Sequence, residues 1–229
     1  ERPLTMAVHA PVPDNKKEVV NGWGWPNELV SWNWKGLEGQ TLSVNVYSRS
    51  PKVRLYLNGK LIGEKETGKE NYTATFEVPY EPGILKAVNS KGKEEFILKT
   101  AGEPAAIRLT ADRNTIKACK NDLSYVKIEL VDKDGNVVPD TSLPVKIACS
   151  GKGTVIASGN AAYDDMKSFR SLTPNTFRGR AIAIVQPTEE KGEIRVTVSA
   201  EGMEDASVLI HADGRSAADQ KLLNQIFEQ

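Results

Sequence analysis

Glu28-Leu-Val-Ser-Trp-Asn-Trp-Lys-Gly-Leu-Glu-Gly-Gln-Thr-Leu-Ser-Val-Asn-Val-Tyr-Ser48 and, a few residues on, Val53-Arg-Leu-Tyr-Leu-Asn-Gly-Lys-Leu-Ile-Gly63 decide the fold of this chain. Leu42, Val44 and Val46 alternate with polar residues, the period of a strand with one buried face. Val53, Leu55 and Leu57 repeat that pattern. Asn58-Gly59 follows at once and supplies two residues that tolerate positive φ, the requirement of a two-residue hairpin turn. Working outward, Thr75–Val78 is a further strand. Glu81-Pro82-Gly83 fits a type II turn, with proline presetting φ and glycine accepting a positive one. Ile84–Val88 and Glu95–Lys99 pair across Lys91-Gly92.

Ala101-Gly-Glu-Pro104 reads as a linker, and a second strand series follows it. Its members are Ala106–Ala111, Tyr125–Val131, Val145–Cys149, Thr154–Ala157, Arg180–Val185, Glu193–Ala200 and Ser207–Ile210. Strands at this spacing, separated by glycine and proline turns, indicate a sandwich. From about Asn160 to Asn175 neither the strand nor the helix period is present, so the segment reads as a long loop packed on the sandwich. The end changes character. Ser216-Ala-Ala-Asp219 resembles a capping box, and Leu222, Leu223, Ile226 and Phe227 form an apolar stripe at helical spacing. The expected fold is all-β: one sandwich over 1–102, a second over 103–213, and a short C-terminal α-helix in 214–229.

Composition narrows the function classes. The 229 residues suit two domains of about 100 residues each. Lys+Arg and Asp+Glu both number 30, so the net charge is zero and there is no electrostatic footprint for nucleic acid or an anionic membrane. No apolar run approaches the roughly 18 residues of a membrane helix, so no membrane insertion is expected. The chain starts Glu1-Arg2-Pro3-Leu4 without Met or a signal-peptide pattern, and the expectation is a segment cut from a longer protein. Cys119 and Cys149 do not form a Cys-x-x-Cys pair, which argues against zinc or redox chemistry. A disulfide between them is compatible with an exported chain.

Candidate chemistry is sparse. Trp23, Trp25, Trp32 and Trp34 are all four tryptophans of the chain and fall within about a dozen positions. Indole faces stack on the C–H faces of sugars, so the cluster is a candidate carbohydrate surface. The competing reading is packing in the core or against a neighbouring domain. Trp32 and Trp34 share strand parity and would face one way. Asp132-Lys-Asp-Gly-Asn136 resembles the start of a calcium loop, but Val137 and Leu143 stand where such a loop needs Gly and Glu. Asp134-Gly135 reads better as a hairpin turn. His9 and His211 have no partner at a recognisable catalytic or metal spacing. The adjacent pairs Glu94-Glu95, Asp164-Asp165 and Glu189-Glu190 do not supply two carboxyls facing each other across a cleft. Asn71-Tyr-Thr73 matches a glycosylation triplet of the kind common by chance. No catalytic residue, no metal ligand and no cofactor is expected.

The stretch Trp32-Asn-Trp34 and the "leucine, Asn-Gly-Lys, Gly" pattern resemble the domains that follow the catalytic barrel in bacterial glycoside hydrolase family 2 enzymes of the β-galactosidase type. Val78-Pro-Tyr-Glu-Pro-Gly-Ile-Leu-Lys-Ala-Val88 resembles the same domain. Pro104–Asp112, Asp122–Val126, Val131–Asn136 with Pro139, Ser158–Asn160 and Phe177–Ala181 resemble the family's final domain. The resemblance covers nearly all of residues 1–213 and leaves the tail from Gly214 uncovered. It implies two immunoglobulin-like β-sandwiches, the second akin to adhesin-type repeats. It also implies an upstream (β/α)8 barrel in the same polypeptide that carries the catalytic glutamates, so no catalytic position is carried over. The parent would hydrolyse a β-galactoside; β-glucuronidases and β-mannosidases belong to the same family. Localisation would be periplasmic or secreted, through a signal peptide on the parent. Three roles follow: a non-catalytic region that supports the barrel and shapes substrate access, a carbohydrate-binding module that holds polysaccharide through the Trp cluster, or an adhesin-like interaction spacer.

Overall fold

The computed structural model describes residues 4–13, 15–20 and 22–214. The helix expected in 214–229 lies outside the described residues, save Gly214. The chain divides into two compact units, Glu1–Thr100 and Ala101–Gln229. The described residues form strands and no helix.

The first unit contains β1 (Leu4–His9), β2 (Glu28–Leu29), β3 (Thr41–Ser48), β4 (Lys52–Leu57), β5 (Lys60–Glu66), β6 (Thr73–Pro79), β7 (Ile84–Asn89) and β8 (Glu95–Lys99). They make two four-stranded sheets, β2-β1-β3-β6 and β5-β4-β7-β8. The alternation read from sequence is the buried set: Leu42, Val44 and Val46 from β3 meet Val53, Leu55 and Leu57 from β4 in one core. Each such side chain contributes about 1.5–3 kcal/mol by leaving water. Asn58 and Gly59 take φ of 49° and 81° and join β4 to β5 with Leu57 opposite Lys60. A bulge between Leu55 and Tyr56 then shifts the register.

Two features depart from the sequence reading. The strand series beginning at Thr41 did not include β1, which pairs with β3 along its length and buries Leu4, Met6 and Val8. Its run of Met6-Ala-Val8 lacks alternation because Ala7 is also buried. The Glu81–Gly83 connection is not a simple type II turn. Gly83 has φ of 141°, well beyond the about +80° of that turn. The Ile84 N–H donates to the Asn58 side-chain oxygen at 2.8 Å.

The second unit contains β9 (Ala106–Ala111), β10 (Thr115–Lys117), β11 (Ser124–Val131), β12 (Lys146–Gly151), β13 (Gly153–Gly159), β14 (Arg180–Pro187), β15 (Gly192–Ser199) and β16 (Ala206–Asp213). Its sheets are β10-β16-β15-β12 and β13-β14-β11-β9. Val126, Ile128 and Leu130 of β11 share a core with Ile194, Val196 and Val198 of β15. The short β10, absent from the sequence reading, runs parallel to β16. All-β architecture in two tandem sandwiches is therefore the observed fold.

Candidate functional site

The tryptophan cluster is one stretch in sequence and two populations in space. Trp32 has no exposed surface. Its Nε1–H donates to the Glu81 carbonyl at 2.9 Å, and its ring meets Tyr80 edge-to-face with centroids 5.1 Å apart. Its own carbonyl accepts the Thr100 hydroxyl at 2.7 Å. Trp34 packs against the same core, and its backbone N–H donates to the Tyr80 hydroxyl at 3.1 Å. Trp34 Nε1 is buried and makes no hydrogen bond. Neither residue lies on a strand, which corrects the expectation of shared strand parity. Irregular backbone lets Trp32 turn fully inward while Trp34 sits partly covered. A sugar cannot stack on Trp32, because no face of its ring is accessible.

Trp23 and Trp25 are different. They are 81% and 79% exposed. Both ride on the excursion that leaves β1 after His9 and returns at Glu28, where His9 pairs with Glu28 and Val8 with Leu29 in the ladder. The base of the excursion is closed by three contacts. The Ala10 N–H donates to the Asn27 carbonyl at 2.7 Å. His9 Nε2 lies 3.1 Å from Glu18 Oε2. Glu18 Oε1 accepts the Asn27 N–H at 3.4 Å. Val19 and Val20 are exposed on the same excursion, next to the exposed Lys16 and Lys17. Beside the return strand, the Glu28 carboxylate accepts Asn45 Nδ2 at 2.6 Å and the Tyr47 hydroxyl at 2.5 Å. Burial and the adjacent Glu28 both raise the Tyr47 pKa above its ordinary value, so the phenol stays a donor.

Elsewhere the polar groups are consumed by structure. Glu129 is nearly buried and faces Arg108 at 3.0 Å, Lys127 at 3.2 Å and Arg180 at 3.2 Å. Burial would raise its pKa, but these cations outweigh it and hold the carboxyl below its ordinary value. Asp132, weighed above as the start of a calcium loop, spends its oxygens on nitrogen donors. Oδ1 accepts Asp134 N and Asn136 N at 3.0 and 2.8 Å, and Oδ2 accepts Gly102 N and Asn136 Nδ2 at 2.8 and 3.1 Å. Gly135 closes the turn at φ of 79°. The adjacent carboxylate pairs also find partners: Glu95 with Lys86, Asp165 with Asn160, Glu189 with Lys120 and Glu190 with Lys152. A depression of about 470 Å³ on the first unit is lined by Tyr56, Asn58, Gly59, Ile84, Lys86 and Val88, none of them a carboxylate. Cys119 and Cys149 are free thiols, and burial raises the Cys149 pKa. No group of three His, Cys, Asp or Glu that could hold a metal occurs among the described residues.

These two sandwiches match known proteins along most of their length. Residues 107–209 match the family described as glycoside hydrolase family 2 C-terminal domain 5. Residues 39–96 match a domain of unknown function, DUF4982. The β-galactosidase BoGH2A of Bacteroides ovatus is 31% identical over 186 residues, covering 80% of this chain and 22% of that protein. A β-glucuronidase of Formosa agariphila is 27% identical over 191 residues, covering 81% of this chain and 19% of that protein. A crystal structure of a glycosyl hydrolase family 2 member from Bacteroides cellulosilyticus superimposes with a TM-score of 0.84 at 35% identity, covering 92% of this chain and 28% of that one. The class defined by fold and matches is a tandem of C-terminal β-sandwich domains. The chain belongs to glycoside hydrolase family 2, as part of its C-terminal region. It spans about a fifth of the length of the curated relatives it matches.

Proposed function

We propose that this chain is the non-catalytic C-terminal region of a family 2 glycosidase of the β-galactosidase type, and that it supports the catalytic barrel and shapes access of the sugar. The observation that supports this reading is the Trp23–Trp25 excursion. It presents two indoles and two valines to solvent from a sandwich whose core is complete without them. An apolar projection of this kind marks a contact surface. Retaining hydrolysis needs an acid and a nucleophile about 5–5.5 Å apart in a cleft that orients the ring. The carboxylates described above are instead bound to lysine, arginine and amide partners. The chemistry is therefore assigned to the remainder of the polypeptide.

The test uses the full-length polypeptide carrying Trp23→Ala and Trp25→Ala. The expected result is at least a tenfold fall in kcat/KM on aryl β-galactoside, with the melting temperature of this region unchanged. Wild-type kinetics on galactoside and glucuronide substrates alike would remove the reading. The alternative, a carbohydrate-binding module, is favoured by the same two exposed indoles. It requires that the 229-residue chain alone bind polysaccharide such as galactan, with a shift in tryptophan emission.

A further inference from the structure

The segment between β13 and β14 carries a row of exposed apolar side chains on an internally bonded loop. Several of its polar side chains bond within the loop. Asn160 Nδ2 donates to Asp165 Oδ2 at 2.6 Å and to the Asn175 carbonyl at 3.0 Å. Lys167 Nζ reaches the Thr173 carbonyl at 3.1 Å and Asn175 Oδ1 at 2.9 Å. Its backbone is tied to the sandwich. The Phe169 carbonyl accepts Ser158 N at 2.7 Å, Leu172 accepts Ile147 N at 2.8 Å, and Pro174 accepts Val145 N at 3.0 Å. The last two bonds run along the β12 side and cover the open edge of that strand. Among its exposed side chains, which include Asp164, Lys167 and Arg170, stands an apolar row. Tyr163 is 96% exposed, Met166 93% and Phe169 70%, with Leu172 also exposed. These four recur at every third residue along the loop. Single exposed apolar residues are ordinary, but a row of four on a hydrogen-bonded frame is not.

We propose that Tyr163, Met166, Phe169 and Leu172 form a docking surface for the remaining part of the same polypeptide, the part that this chain's relatives possess and it does not span. The inference rests on the functional reading above. Three arguments select this occupant. The chain spans about a fifth of its relatives, so a much larger body is covalently available. The two rings together offer roughly 300–500 Å² of contact. That falls short of the about 800 Å² per partner of a stable free complex, which disfavours a second copy. It suffices within one chain, where tethering raises the effective concentration. A sugar platform would want flat rings with free hydrogen-bonding groups. Here Met166 and Leu172 break the row of rings, and Asn160, Asp165 and Lys167 are already engaged. Thioether and aromatic groups together suit a protein surface.

The experiment is oxidation by hydrogen peroxide followed by mass spectrometry of Met166, in the 229-residue chain and in the full-length polypeptide. Met166 should oxidise at least tenfold more slowly in the full-length protein. Replacing Tyr163→Ser and Phe169→Ser together in that protein should return the rate toward that of the shorter chain. Equal rates in both forms overturn the proposal. If Trp23 and Trp25 are then shielded from acrylamide in the full-length protein, the supporting role survives without this surface; if they are not, both readings fall. Protection in the 229-residue chain that rises with its concentration would assign the surface to a second copy, and protection by added galactan would assign it to sugar. Either result overturns the proposal.

Discussion

At the scale of single residues, Asn58 and the tryptophans show how one side chain can serve two levels of structure. Asn58 holds a positive φ in the β4–β5 turn. Its side chain also bridges to the next connection, donating to the Pro82 carbonyl at 3.2 Å and accepting the Ile84 N–H at 2.8 Å. A Cβ on Gly83 would collide with that side chain, so glycine there is required by space as well as by φ. Asn58→Gly should lose the bridge and keep the turn, at about 1–2 kcal/mol. Asn58→Ala should lose both and melt lower still. A thermal melt in which Asn58→Gly equals wild type would mean that the bridge contributes nothing. For the tryptophans, Trp32→Ala should cost about 3–5 kcal/mol by emptying a core position. Trp23→Ala and Trp25→Ala should stay within about 0.5 kcal/mol, since exposed positions contribute little. Chemical denaturation of the three variants tests that ordering. The sequence paired Trp32 with Trp34 by parity but left all four open between core and surface, and only the chain path assigns them.

At the scale of elements, the turn after β11 gives the molecule an acid-sensitive joint. Asp132 is buried, and burial by itself would raise its pKa. The donors from Gly102, Asn136 and Asp134 outweigh that and hold it below its ordinary value. Because the folded-state pKa is depressed, the carboxylate's stabilisation is fully present above the unfolded value of about 4. It is lost as pH falls through the folded value. The denaturation midpoint of wild type should therefore drop below about pH 4. Asp132→Asn should start lower at neutral pH and fall less steeply, since the group that titrates is gone. Parallel pH profiles for the two proteins would rule out this role. Glu129 adds to the same acid loss, so the variant should blunt the slope and not abolish it. The turn itself was legible in Asp134-Gly135. The link from Asp132 back to Gly102 was not, because it joins residues brought together only when the sandwich closes.

At the scale of the whole molecule, the two units predict where the chain is open to attack. Limited proteolysis should cut first at Ala101–Pro104, where the second unit begins, before either strand set. First cuts inside Val53–Gly63 or Arg180–Val185 would contradict that boundary. The 229-residue chain should not turn over aryl β-galactoside, β-glucuronide or β-mannoside. Turnover that disappears on mutation of one of its own Asp or Glu residues would reverse the assignment of chemistry to the rest of the polypeptide. Acrylamide should resolve two tryptophan populations, one quenched and one protected, as Trp23 and Trp25 stand apart from Trp32.

The sequence by itself determined the strand periods, the Asn58-Gly59 hairpin and the family, because alternation and turn chemistry act between residues close along the chain. Only the tertiary structure decided which tryptophans are buried, that β1 is a central strand, and that the loop from 160 to 175 faces its apolar row outward. Those outcomes depend on contacts between residues far apart in sequence, and a local pattern carries no record of which face such a contact will cover.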